Sequence, residues 1–120
     1  MTGYRNLSIV NGNRYNLFDV NESLSGLILK FNKNETIPRH KHNEKDSHIT
    51  ICVSGSVQLQ INEEVLVLVP GDVYDIDPDC YHSFVSLEDE TCIINLLRGL
   101  GNYKETTKIM YDENKEQAIL

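Results

Sequence analysis

The sequence contains no tryptophan, only three cysteines and three prolines, and fewer basic than acidic residues. With 11 Lys and Arg against 18 Asp and Glu, its formal net charge is −7, which disfavours nucleic acid and anionic membranes as partners. No apolar run approaches the roughly 20 residues of a transmembrane helix. The first residues show no basic patch followed by an apolar stretch, so no signal peptide is expected.

Cysteine usage also limits the class of protein. Cys52, Cys80 and Cys92 are odd in number and form no C-x-x-C pair, which argues against a disulfide framework or a thiolate zinc site. A disulfide between two of the three cysteines is an alternative, but free thiols in a reducing compartment fit their number and spacing better. We therefore expect a cytoplasmic protein.

Short apolar segments separated by turn-forming residues dominate the chain. At 120 residues the chain suits one domain with a real core rather than two. The segments are rich in β-branched and aromatic residues and too short for typical helices. The predicted strands are 16–20, 26–31, 48–53, 56–61, 65–69, 73–76, 82–86 and 91–98. Their even spacing, with no helix between them, predicts an all-β sandwich or barrel.

The composition changes after residues 99–101, the segment Gly-Leu-Gly. Residues 103–120 are charged, with sparse apolar positions and a mild helical tendency. We predict a single barrel domain over residues 1–102 and a short C-terminal appendage over 103–120. The appendage is either a helix packed on the barrel or a tail that becomes ordered on a partner.

The four histidines, His40, His42, His48 and His82, are the candidates for chemistry. In an extended segment His40 and His42 point to one face, about 6.5–7 Å apart along the strand, and can lean together onto a metal ion. Alone, each histidine is more often a surface or core residue than a ligand. Their joint spacing changes these odds, because His48 and His82 each begin a predicted strand.

The order of these histidines and the glycines near them resembles that of a cupin. The first cupin motif, roughly G-x5-H-x-H-x3,4-E-x6-G, corresponds to residues 34–55, and the second, G-x5-P-x-G-x2-H-x3-N, to residues 71–86. The positions that keep the family's residue are His40, His42, Gly55, Gly71 and His82. The positions that depart from it are Asn34, His48, Asp77, Asp79 and Ser86. The resemblance covers about residues 26–98 and implies a double-stranded β-helix, the jelly-roll barrel.

This resemblance implies a metal site in which His48 stands where the family has glutamate. Four histidine nitrogens suit one divalent transition metal per chain, such as iron, manganese, nickel or zinc. On an octahedral ion they leave up to two positions open, whereas on tetrahedral zinc they close the shell. The sequence does not decide between an open site and a structural one.

Residues that point the same way as the ligands would line a pocket beside the metal. Alternation from His48 places Thr50 and Cys52 inward, and alternation from His82 does the same for Phe84. The polar candidates near the site are Tyr74, Tyr81, Asn95 and Arg98.

Tyr81 and Arg98 are the candidate catalytic residues. Arg98 ends an apolar strand, where it could hold a substrate carboxylate, although such an arginine is more often simply solvated. With all four histidines assigned to metal, no histidine remains as a general base. Catalysis would then depend on the metal, helped by a tyrosine or a metal-bound hydroxide.

In the strand that begins at His48, the alternate side chains that point away from the face of His48 are unusually apolar for a solvated surface. Ile49, Ile51 and Val53 all point outward on this alternation. We expect this face to be buried in a homodimer, and the alternative is that residues 103–120 cover it within one subunit.

Three functions are compatible with these features. The first is a metal-dependent enzyme of dioxygenase, isomerase, cyclase or lyase type that acts on a small polar organic molecule. The second is a non-catalytic module that binds or senses a small ligand. The third is an interaction protein in which the metal only stabilises the barrel. The first is the prediction we favour, with the other two kept as alternatives.

Overall fold

The computed structural model describes residues 3–4, 8–10, 13–21, 24–41, 47–77, 80–98 and 109–110. The strands in these residues, numbered in chain order, are β1 (Gly3–Tyr4), β2 (Ser8–Val10), β3 (Asn13–Asn21), β4 (Leu24–Phe31), β5 (Thr36–Lys41), β6 (Ser47–Ser54), β7 (Val57–Ile61), β8 (Glu64–Leu68), β9 (Val73–Ile76), β10 (His82–Ser86), β11 (Thr91–Arg98) and β12 (Ile109–Met110). None of the described residues is helical, so no helix among them could span a membrane. The predicted all-β class is confirmed.

Two antiparallel sheets pack face to face. The seven-stranded sheet has the order β1-β3-β4-β11-β6-β9, with β2 beside β3, and the five-stranded sheet has the order β12-β5-β10-β7-β8. Strands distant in the sequence are neighbours, as when β11 lies between β4 and β6. Such crossing connections between two sheets give the double-sheet jelly roll that was predicted.

The core lies between the sheets because most strands bury every second side chain. On β7, Val57, Leu59 and Ile61 are buried, whereas the glutamines between them are only half-buried. A strand with one face on a core and the other towards water shows this alternation. The buried apolar residues of the core are Leu27, Leu29, Phe31, Ile37, Cys52, Val57, Leu59, Ile61, Leu68, Ile76, Phe84, Ile93 and Leu97.

The eight predicted strands are all present, with ends that differ by a few residues. The strand β5, which carries His40, was not predicted. Pro38 lies inside it and lacks the N–H that a regular ladder requires, so the segment does not look like a strand in the sequence. Of the predicted appendage at 103–120, the described residues are 109–110, and these form strand rather than helix.

Turn residues at three motif positions, Asn34, Gly55 and Gly71, have a positive φ. Gly55 has φ +71°, and a side chain there would meet Thr91. Asn34, at the opening position of the first motif, has φ 72°, a conformation that asparagine tolerates better than most residues. The exchange of glycine for asparagine at this motif position therefore preserves the turn.

Candidate metal centre

Three of the four histidines come together between the two sheets. His40 on β5 and His82 on β10 are paired neighbours in the five-stranded sheet. His48 on β6 belongs to the seven-stranded sheet and pairs with Ile76 of β9. All three side chains are at most 2% exposed. Histidines are seldom buried this fully, so three together indicate a specific role.

A β-bulge in β5 turns His40 towards the interior. His82 pairs with His40 and Phe84 pairs with Ile37, so three steps along β5 oppose two along β10. Regular alternation would send positions 37 and 40 to opposite faces, but the extra residue brings both inward. The bulge lies at Pro38 and Arg39, where a missing N–H is tolerated. Pro38, which kept β5 from being predicted as a strand, therefore lies at the bulge, where the hydrogen-bond ladder is already irregular.

The spacing of the rings suits a shared metal ion. The ring centroids of His40 and His82 are 4.4 Å apart, and those of His48 and His82 are 5.1 Å apart. With metal–nitrogen bonds of about 2.0–2.1 Å, two imidazoles on one ion at roughly 90–110° have centroids about 4.5–5 Å apart. The two measured separations, 4.4 and 5.1 Å, lie just below and just above that range.

Backbone carbonyls fix the tautomer of two rings. Nδ1 of His40 lies 2.7 Å from the Pro38 carbonyl oxygen, and Nδ1 of His82 lies 3.1 Å from that of Cys80. A carbonyl oxygen only accepts, so each Nδ1 carries the proton and donates it. The lone pair is then on Nε2, and the Nε2 atom of His82 is buried. Histidines that bind metals are commonly held in this way.

His42 lies outside the described residues. Within the described ranges, no group of three His, Cys, Asp or Glu side chains is disposed to hold a metal ion by itself. The cluster of His40, His48 and His82 therefore has the donor chemistry of a metal site, but these three residues do not form one by themselves.

A buried polar pair lies next to the histidines on the seven-stranded sheet. Thr50, two residues after His48 on β6, pairs directly with Asn95 on β11. The Thr50 hydroxyl donates to Oδ1 of Asn95 over 2.7 Å, and both residues are buried. Residues two apart on one strand face share a direction and lie about 7 Å apart. The pair is thus the polar neighbour of the histidine cluster.

Cys52 and Phe84, both proposed as pocket residues, belong to the core. Phe84 packs edge-on against His82 with centroids 6.1 Å apart. Burial raises the pKa of the Cys52 thiol above its usual 9.0, and the negative charge of Asp72 adds to this. A raised pKa keeps the thiol protonated at neutral pH, which makes Cys52 a poor nucleophile or metal ligand. The sulfur packs near the carbonyl oxygens of Ser54 and Gly55 instead.

The remaining candidates differ in position. Tyr74 on β9 is half-buried and packs against the core. Tyr81 is half-buried beside His82, and the Lys41 ammonium lies 5.1 Å from the centre of its ring. Arg98 ends β11, where its backbone pairs with Leu24 and Ser47, while its side chain lies outside the described part of the chain.

The two backbone carbonyls that orient His40 and His82 were not predicted. Each belongs to the residue two positions before its histidine, namely Pro38 and Cys80. Every residue has a carbonyl, so no residue type could have indicated them. The three cysteines, which were predicted to be free thiols, are free in the structure.

Comparison with known proteins identifies a family. Residues 27–97, more than half of the chain, match the cupin domain family, Cupin_2. No curated protein matches the sequence.

Solved structures of low sequence identity share the fold. KdgF from Halomonas sp. superposes with a TM-score of 0.70 at 20% identity, covering 81% of this chain and 86% of that one. An RmlC-like cupin from Shewanella frigidimarina has the same TM-score and identity, covering 80% and 84%. A sugar phosphate isomerase of the cupin superfamily from Silicibacter pomeroyi has a TM-score of 0.72 at 15% identity, covering 92% and 77%. At such identities the likeness establishes the fold and no activity.

Proposed function

This chain belongs to the cupin domain family, and we propose that it holds one divalent transition metal between its sheets as a small metal-dependent enzyme. The observation that carries the proposal is the convergence of three buried imidazoles from two sheets, at separations of 4.4 and 5.1 Å. A core that needed only apolar packing would gain nothing from three such polar rings, because burying them costs free energy unless they are satisfied.

The proposed ligands are His40, His42, His48 and His82. In the first and last of these, Nδ1 is hydrogen-bonded to a backbone carbonyl, so Nε2 is the nitrogen that would bind the ion. An all-nitrogen donor set suits iron, manganese, nickel or zinc. Such an ion with an open position would supply Lewis-acid chemistry or bind dioxygen.

The chain's own residues would position the substrate and exclude water. Thr50 and Asn95 give the interior a polar surface beside the ligands, while Phe84 closes the core next to His82. Tyr81 directly precedes His82 and is half-buried, and its phenol is the candidate group that would exchange a proton with a bound molecule. This small polar region suits a small oxygenated organic substrate better than a polymer.

The reaction belongs to the dioxygenase, isomerase, cyclase or lyase types. The structural neighbours include a protein named as a sugar phosphate isomerase, which is consistent with an isomerase among these types. We place the protein in the cytoplasm, a location that its three free thiols support.

Elemental analysis tests the proposal directly. Protein purified without a metal-affinity step should contain roughly one transition metal ion per chain, because the ligands are brought together only in the folded state. His48→Ala removes one imidazole and should lower the metal content strongly. Ser83→Ala is the matched control, since Ser83 is the next residue to His82 on β10 but lies on the opposite, half-buried side.

One outcome would contradict the metal site, and another would contradict only the enzymatic function. Substoichiometric metal in both wild type and His48→Ala would remove the metal site. Four-coordinate zinc with no exchangeable water in the wild type would keep the site but remove the enzyme, because a closed shell leaves no position for substrate.

A further inference from the structure

The side-chain amide of Asn95 is held in the interior by a single hydrogen bond. Asn95 lies on β11, between β4 and β6, and its neighbours across the sheet are Leu27 and Thr50. The Thr50 hydroxyl donates to Oδ1 of Asn95 over 2.7 Å. Oδ1 and Nδ2 branch from one planar carbon, so the two N–H donors of Nδ2 point away from that hydroxyl. The hydrogen bond therefore fixes which end of the amide faces Thr50.

The other side chains around Asn95 on the inner face cannot accept a hydrogen bond from Nδ2. They are Leu27 on β4 and, on the same strand as Asn95, Ile93 and Leu97, and all three are buried. Within the described part of the chain, the hydrogen bond of the Asn95 side chain is the one to Thr50. A buried amide donor without an acceptor costs free energy, so its retention requires an explanation. A bound molecule that supplies the acceptor is the simplest one.

The donors of Nδ2 lie next to the histidine cluster. On β11 and β6, Leu97 pairs with His48 and Asn95 with Thr50, so Asn95 and His48 are diagonal neighbours on one face of the sheet. Residues related in this way are about 7–8 Å apart, a distance that one small molecule can span. The His82 ring, from the facing sheet, has its centroid 5.1 Å from that of His48. A small molecule bound at the histidines would therefore also lie beside Asn95.

The charge of the interior indicates the class of ligand. Among the described residues, those that are buried and polar are Asn16, Ser25, His40, His48, Thr50, His82, Ser86, Thr91 and Asn95. This set contains no carboxylate, lysine or arginine. A divalent ion held by neutral imidazoles would keep its full charge of +2 where charge is poorly screened. Such an ion, with an amide donor beside it, favours a ligand that carries negative oxygen atoms.

We propose that Asn95 anchors a carboxylate group of the substrate and that Thr50 is the residue that positions the Asn95 amide. The proposal rests on the metal site proposed above. One carboxylate oxygen binds the ion, and the second accepts a hydrogen bond from Nδ2, which is strengthened by the charge of the acceptor. The substrate class then narrows from small oxygenated molecules to small carboxylic acids.

Titration of nickel-loaded protein with acetate tests the anchor, with the visible absorption of the metal as the readout and no assay of activity. Acetate should bind the wild type. Asn95→Leu keeps the approximate size of the side chain but removes the amide, and it should raise the Kd for acetate about tenfold at unchanged nickel content. Acetamide, which has the same shape but no charge, should bind the wild type at least about tenfold more weakly than acetate.

Variants of Thr50 distinguish positioning of the amide from a general loss of structure. Thr50→Val releases the amide and should raise the Kd for acetate by a smaller factor than Asn95→Leu, whereas Thr50→Ser keeps the hydroxyl and should bind acetate as the wild type does. Thr91→Val is the matched control. Thr91 is a buried threonine about 13 Å along β11 from Asn95, and its hydroxyl donates to the backbone carbonyl of Glu88. Its loss should leave the Kd unchanged.

The possible outcomes separate this proposal from the metal site itself. Wild-type protein that takes up no nickel would overturn both. Nickel-loaded wild type that does not bind acetate, or an unchanged acetate Kd in Asn95→Leu, would overturn the anchor alone. Tighter binding by Asn95→Leu would also overturn it, because Oδ1 rather than Nδ2 would then face the ligand. Equal binding of acetate and acetamide would overturn the assignment to carboxylates.

Discussion

Thr50 and Asn95 show how a single pair of residues can serve both the core and the candidate site. They face each other across β6 and β11 and are joined by one hydrogen bond of 2.7 Å. Both residues are buried, so water cannot replace that hydrogen bond. A buried donor without its acceptor loses its hydration and regains nothing. The pair should therefore behave as a unit.

Thr50→Val keeps the shape of the side chain but removes the donor to Asn95. We expect the free energy of unfolding to fall by about 1–3 kcal/mol, because Oδ1 of Asn95 is left buried without its partner. Urea denaturation of Thr50→Val, Asn95→Leu and the double variant measures the coupling. The double variant should lose less than the sum of the two single losses. Strictly additive losses would show that the two side chains act independently.

The sequence predicted which side chains lie near His48, but it did not predict their hydrogen-bond partners. Alternation from His48 indicated that Thr50 and Cys52 share its face, and both are buried. The tautomers of His40 and His82 depend on backbone carbonyls, which are present at every position and give no signal. The direction of the Thr50 hydroxyl likewise depends on Asn95, 45 residues away.

At the scale of elements, β5 separates what the sequence could predict from what it could not. The other long strands keep period-two alternation over most of their length, although β3 and β11 have register shifts near one end, and this alternation with turn residues between the strands was enough to find them. In β5 the bulge at Pro38 and Arg39 breaks that period between Ile37 and His40. A bulge is defined by how a strand pairs with its partner, so the alternation of apolar and polar residues in one strand does not predict it.

The turns at Gly55 and Gly71 allow backbone strain to be separated from steric conflict. Both glycines have positive φ, +71° and +97°. A Cβ at Gly55 would also lie 2.8 Å from the Cα of Thr91, whereas a Cβ at Gly71 would meet nothing within 4 Å. Backbone must move for the first substitution and need not for the second.

Gly71→Ala should lower the free energy of unfolding by about 1–2 kcal/mol, the cost of a left-handed conformation for an L-residue. Gly55→Ala should cost at least about 2 kcal/mol more, because the conflict with Thr91 adds to the same backbone cost. Chemical denaturation of both variants measures the difference. Equal losses would mean that the turn at Gly55 relaxes away from β11 without penalty.

At the scale of the whole molecule, the histidine cluster brings together side chains from both sheets. His40 and His82 come from one sheet and His48 from the other. An ion shared among them would link the sheets, and it would bind the folded chain far better than the unfolded one. Stability and metal occupancy should therefore be coupled, whatever chemistry the metal performs.

Removal of the metal with a strong chelator should lower the Tm of the wild type by an amount on the order of 10 °C, which corresponds to a few kcal/mol of binding free energy in a domain of this size. His48→Ala should show a lower Tm at the start and little further change with chelator, because its site is already incomplete. Ser83→Ala should respond as the wild type does. If chelator removes the metal and the Tm does not change, the ion does not link the two sheets. If the Tm falls but no small molecule alters it in the metal-loaded protein, the metal's role is to hold the barrel together.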